Sequence, residues 1–279
     1  MSINSLEVVK RKALSFLLIL PVLLVNSLLG SPQVKAAVPV PSGFQLILSD
    51  TGVKVYRKNY VGGQPDFVTV VDLRYATIRN FTGSVSGQNI ERRTLSRFWN
   101  DAVAQNTGSR TARVAINGTF FSTNDSPFTP IAFGLKADWW RISYGYGINE
   151  YPGLVRTFAF DSFYGSSSIQ PYSTATFDAG IPDVVGGLDP TANKSASSYI
   201  GRTFVGVRDD DNNGDSETVV FFSSNYATQA GAVSVLSGFG TGSKMMLDGG
   251  GSTGLIIGGT SYISPTRSIP HAIIVCAGK

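Results

Sequence analysis

Residues 244–257 read Lys-Met-Met-Leu-Asp-Gly-Gly-Gly-Ser-Thr-Gly-Leu-Ile-Ile, two apolar runs on either side of a glycine-rich loop. The runs 244–247 and 255–257 are typical of buried β-strands. The first run delivers Asp248 to its end, and the glycines that follow permit positive φ and the close approach of a ligand. Consecutive N–H groups in such a turn can bind an anion. The stretch therefore predicts either a plain hairpin loop or an anion-binding site beside Asp248.

Two common motifs nearly fit this loop. A P-loop requires a Lys after the glycines, and none is present. Residues 250–254 match the G-x-S-x-G pattern of serine hydrolases, but a strand-like run follows, and no acidic residue lies between Ser252 and His271. The pattern does not favour a serine hydrolase, and the favoured interpretation of His271 is a packed core histidine.

Short β-like runs dominate the rest of the chain, and Gly and Pro punctuate them. These runs are 45–48, 53–57, 67–72, 77–78, 113–116, 155–160, 202–207, 218–222 and 271–275. Residues 94–105 and 228–239 have the spacing of helices, and residues 122–200 are expected to form long loops and hairpins. We expect an α+β fold: a single β-rich domain over residues 44–279, with a mixed or antiparallel sheet, long loops and a few helices.

The amino terminus has the features of a secretory signal. Lys10-Arg11-Lys12 precedes an apolar run at 13–29, and Val34-Lys35-Ala36 suits cleavage after Ala36. We expect residues 1–36 to be a signal peptide and residues 37–43 a loose lead-in; the alternative is an uncleaved membrane anchor. The expected protein is secreted or periplasmic, with no stable membrane span after cleavage.

Composition excludes several classes of site. The 279 residues include one histidine and one cysteine, so an internal disulfide, a cysteine zinc cluster and a multi-histidine zinc site are excluded. Residues 1–36 hold four basic residues and one acidic residue, so the net charge falls from +4 to +1 without them. The remainder has no dense basic stripe, and nucleic acid is not an expected partner.

Two further segments carry candidate site residues. Asn117 and Gly118 end a strand-like run, and the alternatives there are a plain turn or a polar pocket with aromatic walls for a sugar. Arg202 opens another strand. It is either a solvated charge or a planar fork for phosphate or carboxylate.

An acidic segment, Asp-Asp-Asp-Asn-Asn-Gly-Asp at 209–215, resembles the first half of an EF-hand calcium loop. Val220 stands where the closing Glu of that loop belongs, so a polar hairpin turn is the favoured interpretation. The alternative is a calcium site on the oxygen atoms of Asp209, Asp211, Asn213 and Asp215. No other cofactor is expected.

In chain order, four segments resemble the phosphodiester glycosidase family, which includes N-acetylglucosamine-1-phosphodiester α-N-acetylglucosaminidases (uncovering-enzyme-like proteins) and bacterial exopolysaccharide-related proteins. They are AINGTFF at 115–121, GRTFVGV at 201–207, MMLDGGGSTGLIIGG at 245–259 and RSIPHAIIV at 267–275. The resemblance runs from about Val114 to the carboxyl terminus and extends back to near Phe44, and the first and third segments together are its specific part. Many members have His or Pro just before the Arg-Thr pair, where this chain has Ile200-Gly201.

The resemblance implies a secreted glycosidase that hydrolyses the bond between an anomeric carbon, of an N-acetylglucosamine-like sugar, and phosphate in a glycosyl-1-phosphodiester. Asp248 is then expected to act as base or nucleophile, Asn117 to orient the sugar or Asp248, and Arg202 to hold the phosphate. Further contacts with this carbohydrate or glycosyl-phosphate substrate are expected from Gly118, Gly249, Gly250, Gly251, Ser252 and Thr253. The alternative is a non-catalytic secreted module that binds polysaccharide.

Overall fold

The structure is a computed structural model that describes residues 39–279. The signal peptide predicted at 1–36 lies outside the described residues, as do the first two residues of the lead-in predicted at 37–43. In the described part of the chain, no helix combines the length and the apolarity needed to cross a bilayer.

The described residues form nineteen β-strands, three α-helices and a 3₁₀ turn at Gly250–Ser252. In chain order the strands are β1 (Gln45–Asp50), β2 (Val53–Lys58), β3 (Asp66–Asp72), β4 (Ala76–Thr82), β5 (Val85–Ser86), β6 (Asn89–Glu91), β7 (Thr111–Asn117), β8 (Phe128–Pro130), β9 (Leu135–Ala137), β10 (Trp140–Ser143), β11 (Val155–Asp161), β12 (Ser166–Pro171), β13 (Asp183–Leu188), β14 (Ile200–Arg208), β15 (Thr218–Ala227), β16 (Lys244–Met246), β17 (Leu255–Ile257), β18 (Thr260–Ile263) and β19 (His271–Ala277). The helices are α1 (Leu95–Val103), α2 (Thr174–Asp178) and α3 (Gln229–Gly238).

These strands form three sheets in which every strand pair is antiparallel. The largest sheet has eleven strands. Its order is β1-β2-β3-β15-β14-β16-β13-β11-β12, with β9 paired to β13 and β10 paired to β9. The second sheet has the order β18-β17-β7-β19-β4, and the third has the order β5-β6-β8.

The α+β class expected from the sequence is wrong, because the fold is β-rich. The helices of the described chain are only nine, five and ten residues long, and α1 and α3 each pack on strands. Residues 122–200, expected to be mainly loops, contain the six strands β8–β13 as well as α2. Two of these strands, β12 with three Ser and β13 with two Gly, lack the apolar alternation that marks a strand in sequence.

The two predicted helices begin where their capping residues stand. The Thr94 hydroxyl accepts from the Arg97 N–H at 3.2 Å, and the Thr228 hydroxyl accepts from the Gly231 N–H at 3.0 Å. A hydroxyl at this position satisfies an N–H that the first turn leaves without a partner. The structure therefore confirms both helices.

The main core lies between the eleven-stranded and five-stranded sheets. Val55 and Phe221 of the first sheet belong to the same buried cluster as Val114 and Ile273 of the second. Close packing of the two sheets brings the ends of β7, β14 and β16 together, and the candidate site is at this junction.

Candidate functional site

Asn117 joins three segments at the end of β7. Its Nδ2 donates to the Asp248 carbonyl at 2.6 Å, and its Oδ1 accepts from the Thr203 hydroxyl at 2.6 Å and the Gly254 N–H at 3.0 Å. The residue is 1% exposed, so these bonds are shielded from water. The Asn117 amide thus holds both ends of the glycine loop against β14, and its bonds go to protein groups.

Asp248 lies two residues beyond β16 and remains partly exposed. Its Oδ1 accepts from the Gly249 N–H at 2.9 Å. Desolvation by the surrounding protein raises the pKa of Asp248 to about 6, although the Gly249 N–H and the charges of Arg267 and Lys194 favour the ionised form. The carboxyl group can therefore exchange a proton near neutral pH.

The backbone of the glycine loop offers fewer anion donors than its composition suggests. The Gly249 N–H is bonded to the Asp248 carboxylate, and the Ser252 N–H donates to the Gly249 carbonyl at 3.1 Å. The N–H groups of Gly250 and Gly251 donate to no residue within 39–279. Gly250 lines the pocket beside Asp248 and Gly251 does not, so one free N–H of the predicted anion-binding turn is available to a ligand there.

Gly201, just before Arg202, allows the glycine loop to approach β14 closely. A Cβ at this position would lie 2.5 Å from the Gly250 carbonyl oxygen and 2.6 Å from the Thr253 Oγ1. No residue with a Cβ fits there while the loop has this conformation. Close approach of the loop thus requires glycine.

A pocket of about 470 Å³ opens beside Asp248. Among the described residues that line it, Asp248 is the one carboxylate, whereas Lys194, Arg202 and Arg267 are cationic. Positive charge therefore exceeds negative charge in the pocket, which suits an anionic ligand.

Aromatic rings form one side of this pocket. Phe120 and Tyr151 line it, and the Lys194 Nζ lies 5.7 and 5.6 Å from their ring centroids. These distances are within the range of cation–π attraction, so the rings hold the ammonium at the pocket wall. An aromatic wall beside polar groups is also a surface on which a sugar ring can pack.

Arg202 lines the pocket, but its guanidinium is bonded to the backbone. Nε donates to the Ala227 carbonyl at 3.2 Å, Nη1 donates to Lys194 at 2.8 Å, and Nη2 donates to Ser195 and Ser198 at 2.6 and 3.2 Å. Four of its five N–H groups are thus engaged, and the residue is 2% exposed. In this arrangement Arg202 fixes the loop that carries Lys194, and it does not present the free fork predicted for phosphate.

Sequence reasoning missed the two accessible cations, Lys194 and Arg267. Neither side chain forms a hydrogen bond or an ion pair with another residue of the described range. Arg267 lies against the glycine loop, since a Cβ at Gly251 would be 2.6 Å from its Nη2. The signal that could have found Arg267 is the β17–β18 hairpin, because it returns the chain to the start of β17 and therefore to the glycine loop. Lys194 has no comparable signal, because it lies in a polar loop.

Three predicted contact residues lie behind the pocket wall. Gly118 packs against the ring of His271, where an added Cβ would overlap the imidazole. Ser252 and Thr253 are each 1% exposed and do not line the pocket. The Ser252 hydroxyl is near enough to the Asp248 carboxylate to favour the charged form of that carboxylate. Neither the Ser252 hydroxyl nor the Thr253 hydroxyl meets the distance and angle of a hydrogen bond with any described residue. These residues support the loop from within.

His271 is a fully bonded core histidine, as predicted. Its Nδ1 accepts from the Thr119 N–H at 3.1 Å, so we assign the proton to Nε2, which lies 3.0 Å from the Asn80 Oδ1. Burial lowers the pKa of His271 to about 3, and the ring is therefore neutral near pH 7.

The acidic segment forms the turn between β14 and β15, as the polar-hairpin interpretation predicts. Oδ2 of Asp209 accepts from the Gly214 N–H at 2.8 Å, and Oδ1 accepts from three further backbone N–H groups. These bonds, that of Gly214 first, hold the pKa of Asp209 below its usual range. The acidic group that could hold a metal ion differs from the predicted set, because it consists of Asp209, Asp211 and Glu217.

Comparison with known proteins relates the chain to others by fold. No protein-family model matches the sequence, and no curated protein matches it in a sequence search. Among solved structures, the catalytic domain of zebrafish N-acetylglucosamine-1-phosphodiester α-N-acetylglucosaminidase, auto-inhibited by its pro-peptide, is 13% identical, with a TM-score of 0.58. The match covers 85% of this chain and 83% of that one. A hypothetical protein from Synechocystis is 14% identical with a TM-score of 0.54, over 85% of this chain and 69% of that one. These likenesses establish a common fold.

Proposed function

We propose that this chain is a hydrolase that releases an N-acetylglucosamine-like sugar from a glycosyl-1-phosphodiester by cleaving the bond between the anomeric carbon and the phosphate oxygen. The observation that carries the proposal is the pocket itself: a single carboxylate of raised pKa faces the unpaired cations Lys194 and Arg267. The fold shared with a zebrafish enzyme named for this class of substrate supports the choice of substrate.

In this proposal the phosphate binds to Lys194, Arg267 and the free Gly250 N–H, while the sugar packs on Phe120 and Tyr151. Lysine and arginine supply charge-assisted hydrogen bonds to phosphate oxygens, and aromatic rings supply apolar contact to a sugar face. Each of these five residues lines the same pocket as Asp248. Arg202 acts as a positioning residue, because it fixes the backbone of Lys194.

Asp248 acts at the anomeric carbon as base or nucleophile. As base it takes a proton from water while the water oxygen bonds to the carbon; as nucleophile its own oxygen forms that bond, and water later hydrolyses the glycosyl ester. In both routes the bond from carbon to the phosphate oxygen breaks, and the phosphate leaves with the electron pair. A phosphate monoester is a weakly basic leaving group, so one carboxylate suffices where ordinary glycosidases use two.

The test is release of free sugar from UDP-N-acetylglucosamine and from an aryl N-acetylglucosamine-1-phosphodiester. We expect the full-chain protein to release sugar and Asp248→Asn to lower the rate by roughly 10³-fold or more, because the neutral amide cannot act as base or nucleophile.

The matched control is Asp183→Asn. Burial also raises the pKa of Asp183, to about 7, but this residue does not line the pocket, and its variant should keep the wild-type rate. Equal turnover by Asp248→Asn and wild type would contradict the role of Asp248. No release from either phosphodiester, together with binding of polysaccharide, would favour a non-catalytic secreted module.

The proposed location is outside the cytoplasm, secreted or periplasmic, and it rests on the signal-like residues 1–36. The proposed mature protein is one glycosidase-like domain over residues 44–279 with residues 37–43 as its lead-in. Its partners are then carbohydrate or glycosyl-phosphate substrates and not nucleic acid, because the mature chain lacks a dense basic stripe.

A further inference from the structure

We propose that the turn between β14 and β15 is a calcium site formed by Asp209, Asp211 and Glu217. One carboxylate oxygen from each of these residues lies within 4.8 Å of the others. Calcium binds oxygen at 2.3–2.6 Å, so ligands of one ion are at most about 5 Å apart. The spacing of the three oxygens therefore allows a single ion to contact all of them.

Glu217 provides an independent indication of a ligand. It is only 6% exposed, its Oε2 accepts from the Asp210 N–H at 2.9 Å, and its buried Oε1 has no hydrogen-bond partner among the described residues. A buried carboxylate oxygen without a partner is costly, since it has lost its water and gained nothing in return. A cation bound to Oε1 removes this cost.

The neighbouring arginines do not neutralise the cluster. Arg208 Nε and Arg74 Nη2 each donate to a different oxygen of Asp210, both at 2.6 Å. None of the three cluster carboxylates forms an ion pair with another residue in the described range. Three negative charges at this spacing repel one another, and a divalent cation offsets that repulsion.

The ligand set accounts for the missing end of the EF-hand pattern. The closing carboxylate absent at Val220 is supplied three residues earlier by Glu217, the residue before β15. Exposure of Asp211 leaves room for water ligands, which suits the flexible coordination of calcium better than the strict octahedron of magnesium. Arg202 lies at the other end of β14, so this ion stabilises the hairpin and takes no part in catalysis.

The test is calcium-dependent thermal unfolding of the full-chain protein after treatment with chelator. We expect 10 mM Ca²⁺ to raise the Tm by about 3–10 °C, for a Kd of about 10⁻⁴–10⁻³ M. Ten millimolar Mg²⁺ should raise it by less, and KCl at matched ionic strength should leave it unchanged. Calorimetric titration with Ca²⁺ should give one site per chain.

Three variants locate the ion. Asp211→Asn, at an exposed ligand, and Glu217→Gln should abolish the Ca²⁺-dependent shift. Asp215→Asn removes the same charge from the same turn outside the cluster and should keep the shift. The proposal is overturned if the wild type shows no Ca²⁺-dependent shift or if Asp211→Asn keeps it in full. Asp211 is exposed, so Asp211→Asn is expected to fold and tests the calcium site even if Glu217→Gln does not fold.

Discussion

Asp248 shows at the scale of one residue how function and stability oppose each other. Desolvation raises the pKa of Asp248 to about 6, above the value near 3.9 of an unfolded chain. The folded protein therefore binds this proton more tightly than the unfolded chain does. The resulting stabilisation is complete below about pH 4 and is lost as the pH rises through about 6.

The activity should follow the ionised fraction of Asp248. We expect kcat/KM for a glycosyl phosphodiester to rise with pH and to reach half its maximum near pH 6, because the carboxylate is the reactive form. At pH 7.5 the variant Asp248→Asn should be more stable than wild type by about 1–3 kcal/mol, because it buries no charge. Rates from pH 4 to 8 and urea denaturation at both ends of that range check these expectations.

The variant Asp183→Asn distinguishes the effect of Asp248 ionisation on the rate from general changes in stability. Burial raises its pKa to about 7, and it does not line the pocket. Asp183→Asn should alter the pH dependence of the free energy of unfolding but leave the midpoint of the rate profile near pH 6. A rate profile that stays flat between pH 5 and 7 would contradict the assignment of Asp248.

At the scale of elements, two arginines that line one pocket have different tasks. Arg202→Gln should lower the free energy of unfolding by about 2–4 kcal/mol, because it removes a buried cation bonded to four backbone carbonyls. Arg267→Gln should leave stability within about 0.5 kcal/mol and lower kcat/KM for the phosphodiester about 10–100-fold. Thermal unfolding and kinetics on a phosphodiester and a neutral aryl glycoside separate the two effects.

A different pair of results would support the role that the sequence predicts for Arg202, which is to bind the phosphate. If Arg202→Gln keeps the wild-type Tm and loses activity on phosphodiesters alone, Arg202 is the phosphate clamp. Equal losses of Arg267→Gln on charged and neutral substrates would show that Arg267 does not contact the phosphate.

Elements marked by a local residue signal were predicted well, and strands whose sequence lacks an apolar pattern were not. The helix starts at Thr94 and Thr228 depend on a hydroxyl and the N–H three residues later, which any reader of the sequence can locate. Strand β12 contains three serines in succession, and its pairing with β11 makes it a strand. In β13, Gly186 lies so close to the Phe133 backbone that a Cβ would overlap its carbonyl, so glycine there reflects close approach and not a loop.

For the whole molecule, the candidate site is a product of the packing between sheets. Asp248 and its loop could be predicted as candidates because strand, carboxylate and glycines are consecutive in sequence. Lys194 and Arg267 reach the same pocket from segments 54 and 19 residues away along the chain. The β17–β18 hairpin returns Arg267 to the loop, whereas the position of Lys194 depends on the long-range strand order, which the sequence pattern does not specify.

The Asn117 amide connects β7 of the five-stranded sheet to β14 of the eleven-stranded sheet. Asn117→Ala should leave the Thr203 hydroxyl, the Gly254 N–H and the Asp248 carbonyl without their partner in a buried environment. We expect a loss of about 3–5 kcal/mol in the free energy of unfolding, since each buried polar group left without a partner costs about 1–3 kcal/mol.

Thr203→Val is the matched variant, because it removes one of these bonds and leaves Asn117 bonded to the other two partners. Its cost should be about 1 kcal/mol, and the double variant should lose little more than Asn117→Ala alone, because the two residues share one bond. Urea denaturation of the wild type and the three variants gives these energies. If Asn117→Ala costs less than about 1 kcal/mol, the amide does not hold the sheets together, and a direct contact of Asn117 with the sugar becomes the better account of its position.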